Sequence, residues 1–191
     1  MTKNNSSIPE DDFSTLFVKE SEQVELLNEL NKNKDFIEKD AGKYLDLDLE
    51  KHILATYYAA INFEELKSNE LFKALQSLLK NTHKPVKYNP TQYLYNWVDL
   101  QEDGKLKSIY SGKIRNPEDV IAEDFEILTK RKNELDLLLA NHSLTENELK
   151  TQKKRIEENN KLNCEHVVPQ SWFHKQEPMR GDLHHLFACE P

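Results

Sequence analysis

Glycine and cysteine are both scarce in this sequence, with 4 Gly and 2 Cys among 191 residues. Two cysteines cannot build a disulfide framework, so Cys164 and Cys189 are left as a single bridge, metal ligands or buried thiols. With so little glycine and only 7 Pro, collagen-like and low-complexity chains are excluded, and a helical lean is expected. Long apolar runs are also missing. The longest, Leu137-Leu138-Leu139 and the stretch from Tyr57 to Ile61, fall far short of the roughly 20 residues a spanning helix needs, so no membrane partner is expected. Met1 to Asp12 is polar and acidic, without the basic and apolar regions of a secretory signal. As written the chain reads as cytoplasmic, although a leader removed earlier would leave the same picture. Net positive charge is lacking too: the formal charge is −8, which argues against a general electrostatic binder of nucleic acid without excluding a nucleic-acid substrate.

The charge is unevenly spread, however. Between Lys80 and Arg115 there are seven basic residues against three acids, a local surplus of four positive charges. Such a run reads as solvated surface or as a phosphate-facing patch. The first twelve residues read as a disordered arm, and residues 13–191 as a single domain. Helical spacing of apolar residues predicts amphipathic helices from Phe13 to about Lys39 and from Leu47 to Ile61. Asn62 with Glu65 reads as a capping box opening a further helix that stops before Pro85. A helix entry is expected near Pro90, then a short strand or hairpin around Leu106 to Tyr110 after the turn Glu102-Asp103-Gly104. Pro117, followed by Glu118 and Asp119, starts a helix to about Ala140. Ser143 with Glu146 caps the next, which runs to Asn159. The span 117–159 is thus expected as a helical hairpin inserted into the fold and projecting from it, and the overall class is α+β, mainly helical.

Chemistry concentrates in Asn163-Cys164-Glu165-His166-Val167-Val168-Pro169-Gln170-Ser171-Trp172-Phe173 and in Gly181-Asp182-Leu183-His184-His185-Leu186. The β-formers place Glu165 and His166 near the end of a strand that Pro169 closes, and Leu183 to Ala188 is a second strand candidate. A carboxylate is a hard oxygen ligand suited to Mg²⁺, and a neutral imidazole takes a proton from water near pH 7. Neighbouring strand residues face opposite ways, so the two share a site only if the strand ends or twists there. A competing reading takes Cys164, His166, His184 and Cys189 as a structural Zn²⁺ site in a helical binding protein, with ligands of suitable type but unfamiliar order.

The stretch Asn163 to Phe173 resembles the Asn-x-Glu-His-Val-x-Pro-Gln-Ser motif of the endonuclease I family, a group of ββα-metal (HNH-like) nucleases. Residues 181–186 are similar to the family's second strand, and weaker similarity covers about 66–112. The resemblance implies a Mg²⁺-dependent endonuclease that cuts DNA, and often RNA, with little sequence preference. It implies His166 as the general base and Glu165 as the metal ligand, with Asn163 and His184 as supporting motif residues. Arg180 is the nearest basic residue able to clamp a phosphate. Relatives are often secreted or periplasmic. The family completes its metal site with an Asn on a helix after the second strand. The sequence stops at Pro191, so residues 160–191 are expected to supply an incomplete ββα-metal motif with low activity by itself.

Overall fold

A computed structural model of the protein describes residues 20–39, 46–140 and 143–190. The expected arm at 1–12, the helical start at 13–19 and part of the turn at 141–143 lie outside the described residues. Among those described, the helices are α1 (Glu20–Lys39), α2 (Leu47–Tyr57), α3 (Ser68–Thr82), α4 (Pro90–Tyr93), α5 (Pro117–Leu139) and α6 (Glu146–Asn159). Between and after them lie two antiparallel ladders, β1 (Leu106–Lys107) with β2 (Ile114–Arg115), and β3 (Cys164–His166) with β4 (Leu186–Ala188). The fold is α+β and mainly helical.

Local chemistry accounts for most of these boundaries. Asp46 caps α2 by accepting from the backbone N–H groups of Asp48 and Leu49, and Asn89 caps α4 by accepting from Gln92 N–H. Asn62 does accept from Glu64 and Glu65 N–H, but the turn it opens does not continue as a helix. Ser68 has a left-handed φ of 45°, which breaks the run, so α3 starts there. For α6 the cap is Thr145 with Glu148, two residues beyond the expected Ser143–Glu146 pair. Both pairs fit the Ser/Thr-x-x-Glu pattern, and the reciprocal bonds form at the second.

One apolar core joins both ends of the chain. Leu26, Leu30 and Ile37 of α1 meet Val120, Ile121, Phe125 and Leu128 of α5, together with Leu162, Leu186 and Ala188. α5 and α6, the two helices within 117–159, pack on each other, but they do not simply project. The first half of α5 is core, and only its far end makes a separate small contact, Leu135 against Ile156 with Leu138 beside them. The amphipathic stripe at 120, 121, 125 and 128 explains this: a helix with one such face buries it.

After α4 the chain widens into a π-turn, Leu94–Val98, closed by Asp99 N–H to Leu94 C=O at 2.9 Å. The extra residue turns Leu94, Tyr95 and Asn96 inward and leaves Trp97 and Val98 exposed.

A second seam runs between residues 86–88 and 177–181. The Glu177 carboxylate accepts from Tyr88 N–H at 3.1 Å and from Gly181 N–H at 2.8 Å. Gly181 sits so close that a Cβ would lie 2.1 Å from the Val86 carbonyl oxygen and 2.8 Å from Tyr88 N. Backbone cannot yield as a flexible side chain does. Gly181→Ala is therefore expected to destabilise the protein by at least about 2 kcal/mol in urea unfolding, and a wild-type midpoint would contradict this seam.

Candidate active site

β3 and β4 carry the motif residues. Their register pairs Cys164 with Ala188, Glu165 with Phe187 and His166 with Leu186, and Val167 N–H then reaches His185 C=O. Because side chains alternate along a strand, Cys164 and His166 face the core while Glu165 faces the other way. Glu165 has Tyr110 and Cys189 as neighbours, whereas His166 lies among Tyr88, Phe173, His185 and the Arg180 carbonyl. The expected convergence of Glu165 and His166 on one spot is not what the structure shows.

His166 is buried and tightly held. Its Nε2 lies 2.9 Å from the Arg180 carbonyl oxygen and its Nδ1 lies 3.1 Å from Gln170 Nε2. A carbonyl can only accept, so Nε2 carries the proton and the Nδ1 lone pair accepts from the Gln170 amide. Around the ring stand Tyr88, His185 and Phe173, with centroids 5.0, 5.6 and 6.3 Å away. Burial pushes the imidazole down to about 4, outweighing the bond to Arg180, so the ring is neutral at pH 7. This is one tautomer with its basic nitrogen defined.

Glu165 is half-buried, with its carboxylate toward Tyr110 and Cys189. Desolvation and then the nearby Glu165 charge raise the Tyr110 phenol above its usual range. Burial first, then Glu165, pushes the Cys189 thiol up to about 11.

Arg180 is buried. Its guanidinium lies 4.6 Å above the Tyr88 ring, a cation–π contact, and its carbonyl holds His166. In this arrangement Arg180 supports the histidine, and its side chain is not presented to solvent as a phosphate clamp.

Asn163 is fully buried and structural. Its backbone N–H and its side-chain amide both donate to Asp124 Oδ1 at 2.9 Å, and its Oδ1 accepts from Arg115 at 2.8 Å. Asp124 also accepts from Tyr95 OH at 2.8 Å. These bonds anchor the start of β3 to α5. Sequence reading gave no role in the site to Asp124, Tyr88 or Gln170. Of these only Gln170 lay within the motif, as the Gln of its Pro-Gln-Ser.

His184 is exposed on a 3₁₀ turn, Leu183–His185, that replaces the first half of the expected second strand. Asp182 causes the turn by accepting from His184 N–H at 3.0 Å. The four residues of the Zn²⁺ reading do not meet: Cys164 and His166 face the core, Cys189 lies beside Glu165, and His184 bonds Asp182. Both cysteines are free, and burial raises the Cys164 thiol as well, so neither is a ready thiolate ligand.

A model of the endonuclease I family matches residues 63–190. The chain belongs to the endonuclease I family. The match spans more than half of the chain and runs through the α5–α6 hairpin as well as both motif segments. No curated protein and no solved structure matches it. As an endonuclease I family member the protein is a nuclease, acting on nucleic acid. Family membership, and not a meeting of Glu165 with His166, is what carries that reading.

Proposed function

We propose that this nuclease hydrolyses phosphodiester bonds of DNA, and of RNA, with little sequence preference and with Mg²⁺ as cofactor, using His166 as the general base. The observation that carries the reading is the state of His166: neutral, with Nε2–H committed to the Arg180 carbonyl and the lone pair on Nδ1. That nitrogen takes a proton from water, the resulting hydroxide forms a bond to phosphorus, and the P–O3′ bond breaks, the leaving oxygen acquiring a proton from solvent. In the resting arrangement the Gln170 amide occupies Nδ1, so the attacking water takes its place. Gln170 starts a short 3₁₀ turn, Gln170–Phe173, and among the described residues its amide makes one hydrogen bond, to His166, so little is lost when it swings away.

Glu165 is the residue that would hold Mg²⁺. Its carboxylate is a hard donor opposite a phenol rather than an ion pair, which suits an ion that takes one or two protein carboxylates and keeps its waters. The ion supplies Lewis-acid stabilisation of charge on the phosphoryl oxygens. Its side chain and the His166 ring leave β3 on different faces, so the two serve one phosphate only if it lies across the end of the strand. Exposed Lys84 and Lys87, just before Tyr88, lie where the local positive surplus falls and favour backbone contacts over base reading.

The test is cleavage of plasmid DNA and of a single-stranded RNA with Mg²⁺ and with EDTA, for wild type and Glu165→Gln. Cutting should stop in EDTA. At limiting Mg²⁺ the variant should be slower by about tenfold or more, recovering as Mg²⁺ is raised. Cutting that is indifferent to EDTA removes the metal-dependent reading.

A further inference from the structure

Away from the His166 ring, the seam that joins residues 83–88 to 177–186 ends in a second cluster of metal-binding side chains. His83 follows directly after α3, where it closes the helix with its N–H on Leu79 C=O at 2.8 Å. Asp182 and His184 come from the turn before β4. One ligand atom from each of the three lies within 4.8 Å of the other two, the one such group of three among the described residues. We propose that His83, Asp182 and His184 form a binding site for a divalent transition-metal ion of the Zn²⁺ class, separate from Glu165 and serving to clamp the end of α3 to the motif segment.

The donor set decides the class of ion. Two imidazoles and one carboxylate suit Zn²⁺, Co²⁺ or Ni²⁺, whereas Mg²⁺ prefers oxygen and water. The spacing is close to what is needed. Zn–N and Zn–O bonds are about 2.0–2.2 Å, so two donors on one ion are at most about 4 Å apart. A gap of up to 4.8 Å closes by small rotations, and His184, with 75% of its side chain exposed, is free to make them.

Asp182 already orients His184: its Oδ1 lies 2.6 Å from His184 Nδ1 and also accepts that residue's backbone N–H. This keeps the carboxylate and the ring side by side, and an ion bound by both would take the place of the Asp182–Nδ1 hydrogen bond. The His83 and His184 rings are 6.1 Å apart. Protein supplies three ligands and the site is half-open, so water completes the coordination.

A clamp here would act on a seam that is otherwise held by Glu177 and by the close approach of Gly181 to Val86. The same turn carries His185, whose Nε2 donates to Met179 C=O at 2.7 Å and whose ring packs on His166. Stability is therefore where binding registers first.

The experiment is titration of EDTA-stripped protein with Zn²⁺ by calorimetry, with a thermal melt at each end point, for wild type, His83→Gln, His184→Gln and Cys189→Ser. Supporting results are one Zn²⁺ per chain, affinity lower by about tenfold or more in each histidine variant, unchanged binding in Cys189→Ser, no displacement by excess Mg²⁺, and a Zn²⁺-dependent rise in Tm that His83→Gln abolishes. The proposal falls if His83→Gln binds Zn²⁺ as wild type does, if Cys189→Ser is the variant that loses it, if Mg²⁺ displaces it, or if wild type binds none. His184 is exposed and His83 half-buried, and neither belongs to the apolar core, so circular dichroism should show both variants folded. Loss or survival of DNA cleavage does not bear on these readouts.

Discussion

Replacing His166 with Gln is expected to slow DNA cleavage by about 10²–10⁴-fold, the range a positioned general base supplies. Gln keeps an N–H donor for the Arg180 carbonyl, so the fold around the site should survive while the basic Nδ1 lone pair is gone. Cleavage at more than a tenth of the wild-type rate would remove His166 from the reaction. The same variant reports on the burial of the ring. In the folded protein the imidazole titrates at about 4, against roughly 6.5 when unfolded, so between these values the unfolded chain binds the extra proton. Stability associated with His166 is complete above pH 6.5 and is lost as pH falls toward 4. The shift corresponds to at most about 3 kcal/mol. Urea unfolding of wild type should therefore weaken between pH 7 and pH 4 by about 2–3 kcal/mol more than that of His166→Gln. Parallel pH profiles would mean that the ring is not held neutral by burial.

Asp124→Ala is expected to cost about 4 kcal/mol, the largest single loss of stability predicted for the chain. Three donors converge on this carboxylate, Tyr95 OH, Asn163 N–H and the Asn163 amide, and all are buried. Removal leaves them without an acceptor in a place water does not reach, at roughly 1–3 kcal/mol each. Burial raises the carboxyl above its usual range, and the same three bonds offset that only in part. Asp124→Asn keeps an acceptor for Asn163 and should lose clearly less. Equal losses for Ala and Asn would show that shape, and not hydrogen bonding, is at stake. Since Asn163 opens β3, Asp124→Ala should also loosen the strand that carries Glu165 and His166.

The motif residues were legible because their chemistry is local. Asn163, Glu165, His166, Gln170 and His184 fall within two short segments, and a carboxylate beside an imidazole is recognisable in one dimension. Their roles were not legible. Arg180 reads as a surface cation next to a glycine, yet its guanidinium is laid on Tyr88, nearly a hundred positions earlier, and it serves His166 through its carbonyl. Asn163 reads as part of a catalytic signature, but Asp124 makes it an anchor. The helix caps show the same limit on a smaller scale. Ser143–Glu146 and Thr145–Glu148 are equivalent as patterns, and only the path of the chain into α6 selects between them. Likewise the stripe at 120–128 announces a buried face without saying that α1 is what covers it.

By itself, then, the sequence determined the helical α+β character, the two helices within 117–159, the motif and the family, because periodicity, capping and short signatures depend on neighbours a few residues apart. Only the tertiary structure decided which way Glu165 and His166 face, which nitrogen of His166 is basic, and that His83 stands beside Asp182 and His184. Those are matters of strand register and of contacts between distant segments, and they are set by packing the whole core at once. Spacing along the chain carries no record of them.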